Sequence, residues 1–521
     1  MTLDPLDPLD PESLPAPIDV SDNSAALAQV DDVIARGPYE ATWESLSQHD
    51  TPKWYGEAKF GIFLHWGGFS VPAFESEWYP RQMYREGTAS FSHHVATYGA
   101  QSRFGYKDFL PHFRMEDFEA GAWAALFKRS GAQYVVPVAE HHDGYAMYAT
   151  RRSRWNVVDI GPHRDVMGEL LSAVDESWLI RGASSHRAEH WFFMNGGMAF
   201  DSDVRDPRYE DLYGPALRKE IDPTERFLED WLLRTVEVID EYRPQLLYFD
   251  TGIEESSFDP YLRRLAAYYY NRAAQWGRDV VINYKWDAFA EGAGVLTIER
   301  GTMGGIRPAV WQNDTAVSHS SWGWVEGQEY KTPESLIAEL ADVVSKNGNL
   351  LLNIGPRPDG TIAEPEIEIL EAIGDWLAIN GEAIYGTAPW VVFGEGPTLT
   401  PAGAFADVKD MRYGAQDFRF TTMSEVGHDY VYAIAMTNYV GASVRITSFG
   451  KASPILGRPI IDVRVLGAPG AVAWERSDDA LVVSVPERPS GRAGGPVVRV
   501  ELAKEPAEGS ARIDFFHGLG I

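Results

Sequence analysis

LLYFDTG, at residues 246–252, is a short apolar run that ends on one carboxylate, Asp250, and a glycine. Its length and composition are those of a strand buried on both faces, which is typical of a parallel sheet. Asp250 falls at the point where this strand meets its loop. In a β/α barrel, the side chains that carry function lie at the C-terminal ends of the strands. The stretch therefore predicts a barrel strand that presents Asp250 at the functional rim.

Apolar strands alternate with amphipathic helices from Phe60 to about Gly386, and this alternation argues for a parallel sheet. The strand candidates are Phe60–His65, Tyr134–Val138, Leu179–Ala183, Leu246–Phe249, Val280–Asn283, Val295–Glu299 and Asn349–Ile354. The helix candidates are Ala25–Arg36, Phe113–Arg129, Asp165–Glu176, Glu225–Tyr242 and a helix opened by Thr332 and Pro333. Seven or so repeats over about 330 residues fit a (β/α)8-like barrel, whose usual size is about 250 residues. A doubly wound open sheet is the alternative, but polar residues cluster just after the strands, as a barrel rim predicts.

The pattern changes after Thr387, where short strand-like runs are joined by Gly- and Pro-rich turns. This indicates a C-terminal all-β sandwich of about 130 residues. The first 22 residues repeat Leu-Asp-Pro and are rich in acid and proline, which is typical of a mobile tail. We therefore predict a tail over 1–22, an α/β domain with a (β/α)8-like barrel over 23–388, and the sandwich over 389–521.

The amino-acid composition limits the classes of partner that the chain can bind. A net charge of -30 over 521 residues argues against nucleic acid and anionic membranes. There are no cysteines, so disulfides and thiolate metal sites are excluded. No apolar stretch approaches the ~20 residues of a membrane span. The N-terminus has no basic region followed by an apolar one, so we expect a cytoplasmic protein, or a secreted one if a leader was trimmed. The sequence does not predict an oligomeric state.

Five sequence blocks follow one another along the chain. They are Ala58–Gly67 with Ser70–Ala73 and Glu77–Tyr79, then His141–Tyr145, Tyr248–Asp250, Ser321–Trp324 and Lys346–Pro356. In this order they resemble the blocks of the family 29 glycoside hydrolases, the α-L-fucosidases, and the resemblance spans about Trp54 to Tyr385.

The resemblance implies a retaining exo-glycosidase that removes terminal α-L-fucose from fucosylated oligosaccharides or glycoconjugates and needs no cofactor. Such chemistry requires two carboxyl groups roughly 5 Å apart, one attacking the anomeric carbon and one protonating the leaving oxygen. Asp250 matches the nucleophile block of the family. The other possibility is an aspartate that caps a loop or holds an arginine.

The second carboxyl group departs from the commonest family pattern. Many members carry the acid in a Trp-Glu block, whereas this chain has Trp311-Gln312-Asn313-Asp314 there, and Gln312 cannot exchange a proton. Glu299, in the run Ile298-Glu299-Arg300-Gly301, resembles another branch of the family and is our predicted acid/base. Asp314 is the competing candidate, and a salt bridge from Glu299 to a neighbouring arginine is the structural alternative.

Five further residues match positions that line the fucose pocket in the family, namely His65, Glu77, Trp78, His141 and His142, while Trp322 either closes the pocket or simply packs. Imidazole and carboxylate groups both donate to and accept from sugar hydroxyls, and Trp78 can cover an apolar sugar face. His186 falls where the family often has a tyrosine. The predicted substrate-binding residues are His65, Glu77, Trp78, His141, His142, His186 and Trp322, and we predict no metal ligands. The segment from His190 to Pro223 is a candidate for shaping the leaving-group site at the barrel edge.

Two rival functions remain open at this stage. A metal-dependent barrel hydrolase would use His65, His141, His142 and Asp143 as ligands. Adjacent histidines on one strand end point in opposite directions, which argues against a shared metal. The second rival is a carbohydrate-binding protein on a decayed hydrolase scaffold, and the missing Trp-Glu block is its only support.

Overall fold

A closed eight-stranded parallel barrel forms the first part of the chain in this computed structural model, which describes residues 6–406, 411–438, 442–486 and 493–504. The strands pair in chain order, and β1 pairs with both β2 and β8, which closes the barrel. Their bounds are β1 (Phe60–Leu64), β2 (Tyr134–Glu140), β3 (Ile180–Ser185), β4 (Leu246–Phe249), β5 (Val281–Lys285), β6 (Val295–Glu299), β7 (Trp311–Ala316) and β8 (Gly348–Ile354). The predicted (β/α)8-like barrel is confirmed, and the doubly wound open sheet is wrong.

Helices surround the barrel and connect its strands. They are α1 (Ser24–Arg36), α2 (Trp43–Leu46), α3 (Lys53–Ala58), α4 (Tyr79–Gln82), α5 (Ala89–Thr97), α6 (Ala120–Arg129), α7 (Val166–Glu176), α8 (His190–Phe193), α9 (Glu210–Tyr213), α10 (Glu225–Tyr242), α11 (Asp259–Trp276), α12 (Pro333–Ser345) and α13 (Glu364–Asn380). Thr332 caps α12 as predicted, because its side chain accepts a hydrogen bond from the amide of Ser335. None of the described helices is long and apolar enough to cross a membrane.

The helix predicted over Phe113–Arg129 is wrong over its first seven residues. A 3-10 segment, Tyr106–His112, comes first, and α6 begins only at Ala120. Met115 has a φ of 51°, a left-handed conformation that a continuous helix cannot contain. The apolar residues before α6 are nevertheless buried. Their spacing along the chain therefore reflects burial in the core and does not indicate a helix.

Strand β7 was absent from the strand prediction because its sequence, WQNDTA, is mostly polar. All six residues are buried. The side chain of Gln312 accepts hydrogen bonds from the hydroxyls of Tyr55, at 2.9 Å, and Tyr134, at 3.2 Å. Polar partners inside the barrel thus replace the apolar contacts that a hydropathy pattern detects.

Two antiparallel sheets follow the barrel, which confirms the predicted all-β C-terminal part. The larger sheet has the order β13-β16-β11-β10-β9, and the smaller has the order β12-β15-β14. Their strands are β9 (Ala388–Glu395), β10 (Phe418–Glu425), β11 (His428–Ala435), β12 (Ser443–Ile446), β13 (Ile460–Val465), β14 (Trp474–Arg476), β15 (Leu481–Ser484) and β16 (Val497–Leu502). A separate apolar cluster that includes Phe418, Phe420, Phe449, Leu481 and Val500 fills the space between them.

The limits of the three predicted domains stay a prediction. Residues 1–5 of the predicted tail, and residues 407–410, 439–441, 487–492 and 505–521 of the predicted sandwich, lie outside the described residues. Within the tail, Leu6, Leu9 and Leu14 pack against the barrel core, and the Leu9 amide donates to Asp108 Oδ1 at 2.8 Å.

Candidate active site

Four successive barrel strands bring one lysine and three carboxylates together at the C-terminal rim. Asp250 follows β4, Lys285 ends β5, Glu299 ends β6 and Asp314 lies in β7. These strands are neighbours in the barrel, so their ends meet. The loop after Asp250 bends sharply at Gly252, whose φ is 98° and whose added Cβ would lie 2.8 Å from the Glu189 side chain. Glycine is therefore required there.

Lys285 donates hydrogen bonds to both carboxylates that we predicted from the sequence to be catalytic. Its Nζ lies 2.7 Å from Asp250 Oδ1 and 2.5 Å from Glu299 Oε2. Because both oxygens bond the same nitrogen, they cannot be farther apart than the sum of those distances. That limit is below the roughly 6.5–9.5 Å separation of the carboxyl groups in inverting glycosidases and is compatible with the roughly 5–5.5 Å of retaining ones. Asp314 Oδ2 lies 3.6 Å from the same nitrogen.

The second oxygen of Asp250 contacts two histidines. His142 Nε2 lies 3.2 Å and His186 Nδ1 lies 3.0 Å from Asp250 Oδ2. The other nitrogen of His186 is 2.6 Å from Ser184 Oγ, which fixes the ring. Asp250 is thus held on both oxygens, with the carboxylate aimed by charged and polar partners on three sides.

The electrostatic environment keeps Asp250 ionised. Burial would raise its pKa, but the Lys285 ammonium and the hydrogen bonds from His186 and His142 hold the pKa well below the usual value. Burial also opposes the charge on Lys285, yet Asp250 and Glu299 raise its pKa well above normal. A carboxylate that is charged at every physiological pH is suited to act as a nucleophile.

Asp314 differs from Glu299 in depth and in its hydrogen-bond partner. Its side chain is 1% exposed, against 14% for Glu299, and Tyr248 donates to its Oδ2 at 3.1 Å. Burial, together with the negative charges of Glu299 and Asp250, raises the pKa of Asp314 to about 7, although Lys285 opposes this. Asp314 therefore lies at the floor of the site, whereas Glu299 reaches its mouth.

Imidazoles that follow β1, β2 and β3 line another part of the cavity wall. His65 Nδ1 lies 2.7 Å from Asn353 Oδ1, and the ring of His141 stacks on that of His186 at 4.9 Å. Burial lowers the pKa of His65 and of His141 well below the usual value, so both rings are neutral at pH 7. Neutral imidazoles both donate and accept hydrogen bonds, as hydroxyl recognition requires.

Glu77 and Trp322 form the rim near these histidines. Glu77 Oε2 accepts a hydrogen bond from the Trp322 amide at 2.9 Å and from Ser321 Oγ at 3.1 Å. The Trp322 ring lies 5.1 Å from the His65 ring, and the Trp78 ring lies 5.4 Å from the His142 ring. Glu77 thus fixes the loop that brings Trp322 to the site.

All the sequence-predicted site residues meet in one cavity of about 180 Å³. This volume is below the ~300–1,000 Å³ of clefts that take drug-sized ligands, so it suits a single sugar ring. The lining residues are Phe63, His65, Glu77, Trp78, His141, His142, His186, Tyr248, Asp250, Thr251, Lys285, Glu299, Asp314, Trp322 and Phe405. The structure brings the predicted set together, while the role of each residue stays a prediction.

The expected opposite orientation of His141 and His142 is wrong. Strand β2 ends at Glu140, so the two histidines lie in the following turn, and both line the cavity with rings 4.6 Å apart. Asp143, a ligand in the metal hypothesis, is bonded by the hydroxyl of Tyr106 and the amide of Tyr145. It is not among the residues that line the cavity.

Two sets of three side chains in the cavity have the spacing of metal ligands: His65, His141 and His186, and His142, His186 and Asp250. The second set shares Asp250 with Lys285, whose ammonium lies 2.7 Å from the carboxylate. A cation next to that ammonium would be repelled. The Lys285 ammonium therefore disfavours a metal ion at the second set.

Lys285 and Phe405 were not identified from the sequence. The strand prediction stopped at Asn283, two residues short of Lys285, although a lysine at the end of an apolar barrel strand is itself a signal. Phe405 belongs to the C-terminal part of the chain. The expectation that site residues follow the C-terminal ends of barrel strands could not identify it. None of the described cavity-lining residues comes from the segment between His190 and Pro223, whose Phe193 packs 5.2 Å from the His142 ring.

Comparison with known proteins gives one consistent result. The sequence profile of the family described as Alpha-L-fucosidase matches residues 26–382. Plasma alpha-L-fucosidase of Homo sapiens is 33% identical over 372 residues, covering 70% of this chain and 75% of that protein. The alpha-fucosidase of Thermotoga maritima, solved in complex with a mechanism-based inhibitor, superposes with a TM-score of 0.69 and 28% identity, covering 89% of this chain and 99% of that chain. The complex of the same enzyme with fucose gives a TM-score of 0.67 and 28% identity, over 89% of this chain and 100% of that chain.

Proposed function

Because this chain belongs to the α-L-fucosidase family and is a retaining glycoside hydrolase acting on fucosylated glycans, we propose that Asp250 is its nucleophile and Glu299 its acid/base. The observation that carries this assignment is the shared bond of both carboxylates to Lys285. It keeps them closer together than the carboxyl pair of an inverting enzyme, as double displacement requires.

In the first step, a carboxylate oxygen of Asp250 attacks the anomeric carbon of fucose and the bond to the leaving oxygen breaks. Glu299 gives its proton to that oxygen, so the glycan departs as a neutral alcohol. In the second step, Glu299 removes a proton from water, and the water oxygen replaces Asp250 at the same carbon. Two inversions return the α configuration, and both carboxyl groups recover their starting states.

The choice of Glu299 over Asp314 rests on access. The acid must reach an oxygen at the boundary between the fucose ring and the rest of the glycan, and Glu299 is the more exposed of the two. The pKa of Asp314, about 7, would suit an acid. However, its burial against Tyr248 keeps it below the sugar. We propose that Asp314 acts through Lys285 and does not transfer the proton itself.

The remaining cavity residues would bind the fucose hydroxyls and methyl group. We propose that His65, His141 and His142 hydrogen-bond to hydroxyls and that Glu77 holds Trp322 in place. Both ring nitrogens of His186 are bonded, to Asp250 and to Ser184, so we propose that His186 acts through Asp250. Trp78 and Trp322 would cover the apolar parts of the ring. Exclusion of nucleic acid and membranes as partners, and a cytoplasmic location, stay predictions from the sequence.

Leaving-group dependence tests the acid assignment. Glu299→Gln should lose most of its kcat/KM on a fucosylated trisaccharide, whose leaving alcohol needs a proton, and much less of its kcat/KM on fucosyl fluoride, whose leaving group does not. Asp314→Asn is the matched control and should affect both substrates similarly. The assignment is overturned if Asp314→Asn, and not Glu299→Gln, spares the fluoride selectively.

A further inference from the structure

A loop from the C-terminal part, residues 402–406, is attached to the barrel beside Glu299, and we call it the rim loop. The Phe405 amide donates to the Glu299 carbonyl at 2.8 Å, and the Gly403 amide donates to the Thr302 carbonyl at 2.9 Å. The contact is so close that a Cβ at Gly301 would lie 1.9 Å from the Gly403 carbonyl oxygen. The rim loop is therefore fixed to the strand end that carries Glu299.

Phe405 combines a strained backbone conformation with an exposed aromatic side chain, and both are energetically unfavourable. The residue has a φ of 54°, a left-handed conformation that is a genuine outlier for a bulky side chain. Its side chain is 60% exposed, and none of the ring–ring contacts among the described residues includes it. Neither core packing nor backbone preference explains a phenylalanine here.

Phe405 nevertheless lines the cavity together with Asp250 and Glu299. Because the cavity holds one sugar ring, the rest of a glycan must lie outside its mouth. The leaving oxygen faces Glu299, and the backbone of Phe405 is bonded to the backbone of Glu299. The phenyl ring is thus on the side of the site from which the leaving group departs.

We propose that Phe405 forms the leaving-group subsite, where its ring packs against the apolar face of the sugar that carries the fucose. The face of an aromatic ring has a partial negative charge and attracts C–H bonds, which a pyranose face presents. The same ring would hold an acceptor sugar when the covalent intermediate transfers fucose to an alcohol instead of water. This inference rests on the proposed function of Asp250 and Glu299.

The test compares three substrates that share fucose and differ in the leaving group. Fucosyl fluoride has no surface for Phe405 to contact, an aryl fucoside has a flat ring, and a fucosylated trisaccharide has a sugar. For Phe405→Ala, we expect the ratio of kcat/KM on the trisaccharide to kcat/KM on the fluoride to fall about tenfold. Phe405→Trp should keep this ratio, and transfer to an added lactose acceptor should fall in Phe405→Ala relative to hydrolysis.

Trp178 supplies a matched control at the opposite end of the barrel. It precedes β3, is 89% exposed and has a φ of 59°. Trp178→Ala should leave the substrate ratio unchanged. If Phe405→Ala leaves the ratio unchanged, or lowers all three substrates equally, the subsite inference is overturned. If the wild-type protein releases fucose from none of the three, the proposed function fails instead, so the two failures are distinguishable.

Discussion

The Nζ of Lys285 lies 2.7 Å from Oδ1 of Asp250, and this ion pair sets the charge state on which the site depends. Asp250 is buried, so without a cation its carboxylate would be costly to ionise. The lysine lies on the strand between those that carry Asp250 and Glu299. It can therefore stabilise the nucleophile and orient the acid/base at the same time.

Removing the ammonium should shift the acidic side of the pH profile. In Lys285→Met, burial is no longer offset by the adjacent positive charge, so the pKa of Asp250 rises. The acidic limb of kcat/KM, measured on an aryl fucoside, should move to higher pH. Lys285→Arg keeps the charge and should keep the limb near its wild-type position. A Met variant whose acidic limb does not move would contradict this role for the lysine.

Loss of the nucleophile should remove turnover and leave the fold intact. We expect Asp250→Gly to lower kcat by about four orders of magnitude or more. Thermal unfolding followed by circular dichroism checks the fold, and Asp143→Asn is a control, since Asp143 is a buried aspartate outside the cavity. Residual activity above a few per cent of wild type in Asp250→Gly would count against the assignment.

Added azide should distinguish the two candidate acids. Glu299→Ala should lose about 10²- to 10⁴-fold in activity. Azide should then restore part of it on an activated aryl fucoside, because azide attacks the covalent intermediate without a general base. The product should be α-fucosyl azide, identified by NMR. If Asp314→Ala shows this rescue and Glu299→Ala does not, Asp314 is the acid/base.

Glu366, in the first turn of α13, provides a test of stability that does not involve catalysis. Burial raises the pKa of this side chain to about 8, although a hydrogen bond from the Gly355 amide opposes the rise. The unfolded chain releases the same proton near pH 4.5. The wild-type protein therefore loses stability as the pH rises from about 4.5 to 8, by an amount on the order of a few kcal/mol.

Glu366→Gln removes this titration. The difference in Tm between Glu366→Gln and wild type should shift by a few degrees in favour of the variant between pH 5 and pH 8. Glu368→Gln changes an exposed glutamate of the same helix and is the matched control. A difference that stays constant over this range would show that Glu366 is not held protonated in the folded protein.

The sequence predicted the barrel well because most of its strands are apolar runs with clear ends. Strands β4 and β6 begin and end where the pattern places them, and Asp250 and Glu299 follow from those ends. Strand β7 was missed because its side chains satisfy one another inside the barrel, and internal hydrogen bonds leave no trace in a hydropathy pattern.

Site residues that lie directly after a strand were predicted from the sequence. Site residues that reach the cavity only through a tertiary contact were missed. Histidines that follow β1, β2 and β3 could be found from the strand ends. Phe405 is 106 positions after Glu299 in the numbering, and only the docking of the rim loop brings it to the cavity. Its role depends on a tertiary contact between two parts of the chain, which local patterns cannot predict.

The most direct measurement of the central claim is the site of covalent labelling. The protein is incubated with 2-deoxy-2-fluoro-fucosyl fluoride, which forms the glycosyl-enzyme intermediate and slows its hydrolysis, and the digest is analysed by mass spectrometry. We predict one 2-deoxy-2-fluorofucosyl adduct, on the side chain of Asp250 in the peptide that contains residues 246–252. An adduct on Glu299 or Asp314, with Asp250 unmodified, would contradict the account.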